Sequence, residues 1–292
     1  MRAGGVYMKV QVLASVMNQT MEHIVEQMRL QSDAVIINQC GRLDFEEMEY
    51  QGGLVRFYSF PDRGVGKSRN EAIMRADGDI CLFSDEDIVY EPGYAQAISA
   101  EFEKNRAADM ILFNVTVQEE RQTYCITERK RVHWYNCGRY GAVSFAVKRD
   151  SLIASGVTFS QMFGGGARYS NGEDSLFLKE FMGKGYKVYT APVTIGREVR
   201  KGESSWFAGY NEKFFFDRGV LYYYLYGRLA APMALRFLLA HRNKLCGEFA
   251  LKQAYSLMKK GIKQGKTGKE ILPPRGVEVK RAEQVPAGGN LK

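Results

Sequence analysis

Over the first 115 residues, short β-rich runs alternate with runs of helical spacing. Residues 9–15 (KVQVLAS) read as a strand, and residues 21–30 as a helix with Thr20 at its N-cap. Residues 34–38 (AVIIN) form a short unbroken apolar run, the pattern of a strand buried on both faces. Residues 54–60 (LVRFYSF), 80–83 (ICLF) and 110–117 add three strands. Helices are predicted over 68–76, closed by Asp77-Gly78, and over 92–104, with Pro92 in the first turn. This rhythm predicts an α/β fold with a mostly parallel central sheet and right-handed crossovers.

After residue 117 the alternation loosens. Residues 142–147 (AVSFAV) and 187–191 read as strands, 175–183 as a helix, and 206 to about 263 as helical throughout. Residues 220–240 are apolar and rich in Tyr and Leu, but Arg228, Pro232 and Arg236 interrupt them. A central arginine costs about 2.5–3.5 kcal/mol on membrane insertion, which argues for a surface-lying amphipathic helix or a buried helical pair over a spanning one. Residues 265–292 carry Gly, Pro and Lys without a core pattern and read as a flexible tail.

Composition narrows the class. The 292 residues are 45% hydrophobic and 25% charged, enough for a sizeable core. Five scattered cysteines without a CxxC pair exclude a zinc ribbon and a disulfide scaffold, and fit a reducing compartment. No apolar run of signal-peptide length follows the N-terminus, so a cytoplasmic setting is expected. The net charge of +8 resides in residues 241–292, where twelve Lys or Arg face four Asp or Glu; residues 1–240 are balanced. The body is therefore no nucleic-acid binder, and the basic end predicts contact with an anionic membrane surface or serves solubility alone. Three distant histidines leave no His-based triad or zinc site.

Three segments carry candidate chemistry. Ser84-Asp85-Glu86-Asp87 follows a predicted strand. Three successive carboxylates repel one another unless solvated or beside a hard cation, and Mg²⁺ or Mn²⁺ bridges such groups to phosphates. Residues 63–70 (RGVGKSRN) join a strand to a helix, and a glycine turn with Lys67 and Arg69 at a helix start can meet phosphate oxygens. The same residues suggest a P-loop phosphotransferase, but Pro61 stands where the first glycine of that loop belongs. Asn171-Gly172-Glu173-Asp174 precedes a helix, where the acids either cap it or supply a general base. The glycines at 164–166 would form a mobile rim.

Taken in order, three blocks resemble glycosyltransferase family 2 with its GT-A fold: residues 67–94 (KSRNEAIMRADGDICLFSDEDIVYEPGY), 144–156 (SFAVKRDSLIASG) and 164–177 (GGGARYSNGEDSLF). Residues 206–227 are similar to bacterial capsule and exopolysaccharide members. The resemblance implies a Rossmann-like GT-A domain over residues 8–200, with a nucleotide-sugar half at 8–117 and an acceptor half at 118–200, then a helical extension at 201–264 and the tail at 265–292. It implies an inverting, metal-dependent transfer from a nucleotide-sugar, a UDP-sugar first, to a saccharide or lipid-linked saccharide at the inner face of the plasma membrane. Asp87 would hold Mn²⁺ or Mg²⁺, Asp85 the ribose or the metal shell, and Arg69 the sugar diphosphate. Asp174 would be the base and Glu173 its positioning partner. Where the family carries a base-reading aspartate, Asn38-Gln39 stands here, and the Asn38 carbonyl would accept from uracil N3–H. The alternative to an enzyme is a non-catalytic GT-A-like module that binds membrane or partner.

Overall fold

The computed structural model describes residues 8–117, 124–199, 209–242 and 250–268. They divide into two compact units at residues 208/209.

The first unit is built on nine strands in the order β3-β4-β2-β1-β5-β8-β7-β9-β6. These are β1 (Val10–Met17), β2 (Asp33–Gln39), β3 (Asp44–Tyr50), β4 (Gly53–Phe60), β5 (Ile80–Asp85), β6 (Ile88–Tyr90), β7 (Met110–Thr116), β8 (Phe145–Lys148) and β9 (Val188–Glu198). The block β4-β2-β1-β5 is wholly parallel. Beyond it, β8 runs antiparallel to both β5 and β7, β9 is parallel to β7, and the two edges, β3 and β6, are antiparallel to their neighbours.

Period-2 alternation builds a core on each face of the sheet. Val10, Val12, Ala14 and Val16 of β1 join Ala34 and Ile36 of β2 and Leu82 of β5 on one face. They meet α1 (Met21–Met28) and α3 (Tyr94–Lys104) through Ile24, Val25, Ile98 and Phe102. On the other face Leu13, Val35, Ile37 and Phe83 meet α2 (Val65–Arg75), α4 (Arg149–Ser155) and α5 (Glu173–Gly183) through Ile73, Leu152 and Phe177. All seven residues of β2 are buried, the apolar run at 34–37 together with Asp33, Asn38 and Gln39.

Four details differ from the sequence reading. The stretch expected as a strand at 142–147 opens with a 3-10 turn (Ala142–Ser144), and the strand is Phe145–Lys148. The strand expected at 187–191 continues to Glu198. Two edge strands, β3 and β6, add to those predicted. Finally, α2 begins at Val65, so Gly66-Lys67-Ser68 form its first turn. Ser68 is buried with its hydroxyl toward the Ile37 carbonyl, and Pro61 stands in place of the loop's first glycine, both of which argue against the P-loop reading.

The second unit holds α6 (Glu212–Tyr226), α7 (Ala230–Ala240) and α8 (Leu251–Thr267). Glycines let α6 and α8 cross closely. A Cβ on Gly219 would come within 2.2 Å of the Met258 carbonyl oxygen, and one on Gly261 within 2.0 Å of the Phe216 carbonyl oxygen. The helix α8 runs into the segment expected as tail; residues 201–208 of the predicted extension and 269–292 of the tail lie outside the described residues.

Candidate active site

Ligands of open parallel sheets gather at the carboxyl ends of the strands. Asp85 ends β5 there. Opposite it, Arg69 projects from α2, and Glu173 and Asp174 open α5.

Arg69 organises the site. Its Nη2 donates to both oxygens of Asp85 at 3.0 and 3.1 Å, and its Nη1 to Asp174 Oδ1 at 2.9 Å and Glu173 Oε1 at 3.2 Å. The residue is 4% exposed. Burial works against the charged guanidinium, but the carboxylates of Asp85, Asp174 and Glu173 outweigh it and hold its pKa above the ordinary value. A dry aromatic floor lies beneath: the Arg69 guanidinium sits 5.2 Å from the Phe159 ring centroid, and Phe159 stacks on Phe177 at 4.3 Å.

Three carboxylates against one guanidinium leave an excess of negative charge. Asp174 carries the consequence. Its burial, then the adjacent Glu173 carboxylate, push its pKa up to about 7, against the opposing pull of Arg69 and the Ala142 N–H. The side chain still keeps 24% of its surface exposed, so a substrate proton can reach it. A buried carboxyl that titrates near neutrality is suited to general-base work.

The surroundings fix this geometry. Gly164 adopts φ +105°, and a Cβ there would lie 2.8 Å from both Glu173 Cδ and Val65 Cγ1. Gly164 therefore lets the 164–166 rim close directly on Glu173 and α2. Asn70, next to Arg69, locks the neighbouring loop: its side chain accepts from Phe159 N–H at 2.7 Å and donates to the Phe159 carbonyl at 2.9 Å. Asn70 and Phe159 had no role of their own in the sequence reading, although Asn70 stands in the 63–70 segment it singled out.

The remaining expected residues divide. Asp87 lies in the turn after Asp85, and its carbonyl accepts from Val199 N–H at 2.7 Å. Lys67 is 40% exposed and pairs with Asp62 at 2.6 Å. It lines a small pocket at the head of α2, with Arg63, Gln161 and Phe163. Asn38 lies near the end of β2. It is 1% exposed, its Oδ1 accepts from Gln19 N–H, and its Nδ2 donates to the Gln19 carbonyl and to Ser59 Oγ. The amide ties the chain after β1 to β2 and β4. Gln39 likewise accepts from Gly64 N–H at 2.7 Å.

Glu86, to which the sequence reading gave no task, turns away from its acidic neighbours. Its Oε2 accepts from Met17 N–H at 2.8 Å and Gln19 Nε2 at 3.3 Å, while its carbonyl accepts from Gln27. It fastens the acidic turn to the end of β1.

The donor set suits a hard divalent cation only with help. Among the described residues no group of three or more Asp, Glu, His or Cys could hold a metal alone. Arg69 already engages both oxygens of Asp85, which shifts the expected metal contact toward Asp87. One or two carboxylates completed by phosphate oxygens is the usual arrangement for Mg²⁺, and these residues fit it.

Solved structures share the fold. Residues 1–349 of S. aureus TarS, in complex with UDP-GlcNAc, superpose with a TM-score of 0.58 at 14% identity, over 88% of this chain and 78% of that one. The mannosyltransferase PcManGT of Pyrobaculum calidifontis, with GDP-Man and Mn²⁺, gives 0.52 at 13% identity, over 91% and 89%. No curated protein sequence matches. The family model for glycosyl transferase family 2 matches residues 10–156. That span covers half of the chain and contains β1 through α4, with Arg69, Asp85 and Asp87 inside it, and the chain therefore belongs to glycosyl transferase family 2.

Proposed function

We propose that this glycosyltransferase transfers a sugar with inversion from a UDP-sugar to a hydroxyl of a saccharide acceptor, lipid-linked in the cell, with Asp174 as general base. One observation carries the reading: a single buried arginine joins the acid at the end of β5 to the acid at the head of α5, which lies 105 residues beyond that arginine in sequence. The donor half and the acceptor half of the reaction thus meet at one point.

The acceptor oxygen attacks the anomeric carbon as Asp174 takes its proton. The bond from that carbon to the diphosphate oxygen breaks on the opposite face, and the pair of electrons leaves with the nucleotide. A single displacement inverts the centre and needs no covalent enzyme intermediate. Arg69 holds Asp174 and Asp85 in register, and Glu173 keeps the Asp174 pKa high enough for a useful base. Asp87, with diphosphate oxygens, would hold Mn²⁺ or Mg²⁺, which supplies positive charge to the leaving diphosphate. Lys67 and Arg63, at the pocket heading α2, add further positive charge.

The choice of UDP rests on the resemblance and on the TarS complex; the PcManGT complex holds GDP-Man, so the fold accommodates either base. Calorimetry with UDP, GDP and TDP, with and without Mn²⁺, tests it. UDP binding that needs Mn²⁺ and disappears in Asp87→Ala is expected. Metal-independent binding, or a preference for GDP, would reject the corresponding part.

A further inference from the structure

The second unit contains a helix whose outward face is both greasy and cationic. Leu229, immediately before α7, is 51% exposed, and Leu235 and Leu239 of α7 are 44% and 53% exposed. Pro232 and Arg236 are also exposed, and with Leu229, Leu235 and Leu239 they recur at three- and four-residue steps, which puts them on one side of the helix. Ala230, Ala234 and Leu238 occupy the opposite side and are buried. Exposed leucines in a row, rather than singly, mark a surface that meets something apolar.

The charges say what that something is. Arg228, Arg236 and Arg242 are exposed along the same segment. Residues 218–247 contain no Asp or Glu. The neighbouring α8 presents Lys252, Lys259, Lys260, Lys263 and Lys266 to solvent, again without an acid. An ordinary protein partner would leave many of these like charges unpaired. An anionic lipid surface satisfies both features at once, because headgroup phosphates pair with the arginines while the leucines enter the acyl boundary. Among the described residues no helix is long and apolar enough to cross a membrane, so the mode is lying on the surface.

We infer that α7 is a membrane-surface helix that inserts Leu229, Leu235 and Leu239 between anionic lipids, with α8 adding electrostatic attraction. The purpose of this contact rests on the lipid-linked acceptor proposed above. The contact itself does not, and it can fail while sugar transfer stands.

The test is sedimentation of the full chain with vesicles of two parts phosphatidylcholine to one part phosphatidylglycerol, without donor. Wild type should bind these vesicles and release in high salt. Leu235→Ser with Leu239→Ser leaves the charge unchanged and should weaken binding by at least about tenfold, with an unchanged far-UV circular dichroism spectrum and unchanged UDP affinity. Arg228→Glu with Arg236→Glu should remove most of the preference for anionic over neutral vesicles. Wild type that ignores both kinds of vesicle overturns the inference. So does a serine variant that binds as tightly as wild type, which would assign attraction to the charges alone. Analytical ultracentrifugation provides the last arm: a wild-type dimer that the serine variant converts to monomer would make this face an interface between two copies, and overturn the lipid assignment.

Discussion

Arg69 Nη1 lies 2.9 Å from Asp174 Oδ1, and the same guanidinium grips Asp85 through its other nitrogen. A planar fork is needed to satisfy two carboxyls on different elements, and lysine has none. Arg69→Lys should therefore fold but lose at least about 10²-fold in kcat. Arg69→Ala leaves the Asp85, Glu173 and Asp174 carboxylates, one buried and two partly exposed, without their counter-ion and should lower stability by about 1–3 kcal/mol in urea denaturation. Steady-state kinetics and melting curves on the two variants separate these effects.

The pH profile follows from the charge around Asp174. A base must be unprotonated, so kcat/KM should rise with pH, turn near pH 7 and level off above it. Burial and Glu173 are the two largest causes of the elevated pKa. Glu173→Gln removes one of them, and the turning point should move down by about one unit. A midpoint that stays fixed in this variant would contradict the electrostatic role given to Glu173.

The same shift has an opposite signature in stability. The folded pKa of about 7 exceeds the unfolded carboxyl value, so the folded chain prefers the protonated form. Stability is full below the unfolded value and declines as pH rises to about 7. Asp174→Asn is neutral throughout and escapes that decline. At pH 8 it should melt about 2–5 °C above wild type, and at pH 4 the two should coincide.

Gly164 packs the 164–166 segment against the acid pair. Its φ of +105° disfavours any side chain, and a Cβ would collide with Glu173 and Val65. Gly164→Ala should cost about 1–3 kcal/mol and lower turnover more than donor affinity. Thermal melting and a kcat-against-KM comparison check both parts.

Glu86 predicts a different split. Because its carboxylate anchors the acidic turn to Met17 and Gln19, Glu86→Ala should raise the donor KM about fivefold or more while leaving kcat within about twofold. Glu86→Gln retains an acceptor for Met17 N–H and should recover most of the loss.

The strands of the parallel block were legible either as nearly unbroken apolar runs, as in β2, which is buried at every position, or by alternation, as in β4. The edge strand β3 (DFEEMEY) was not, since its exposed acids hide the alternation that pairing with β4 imposes. The start of α2 was misplaced by three residues, because Gly66 weakens the helical signal although it packs against the Ser160 carbonyl. At the site, residue types were readable and their convergence was not. Arg69, Asp85 and Asp174 stood out as chemistry, but only the crossovers of the sheet bring positions 69 and 174 together. Asn38 was singled out for a ligand contact; its place inside β2 and its hydrogen bonds to Gln19 and Ser59 were not readable from the sequence.

The central claim is that Asp174 removes the acceptor proton without holding the donor. Transfer rate and UDP affinity, measured side by side in wild type and Asp174→Asn, test it most directly. The account predicts a transfer rate at least about 10³-fold lower with UDP affinity within about twofold. A variant that transfers sugar within tenfold of wild type, or loses transfer only because it no longer binds UDP, would contradict it.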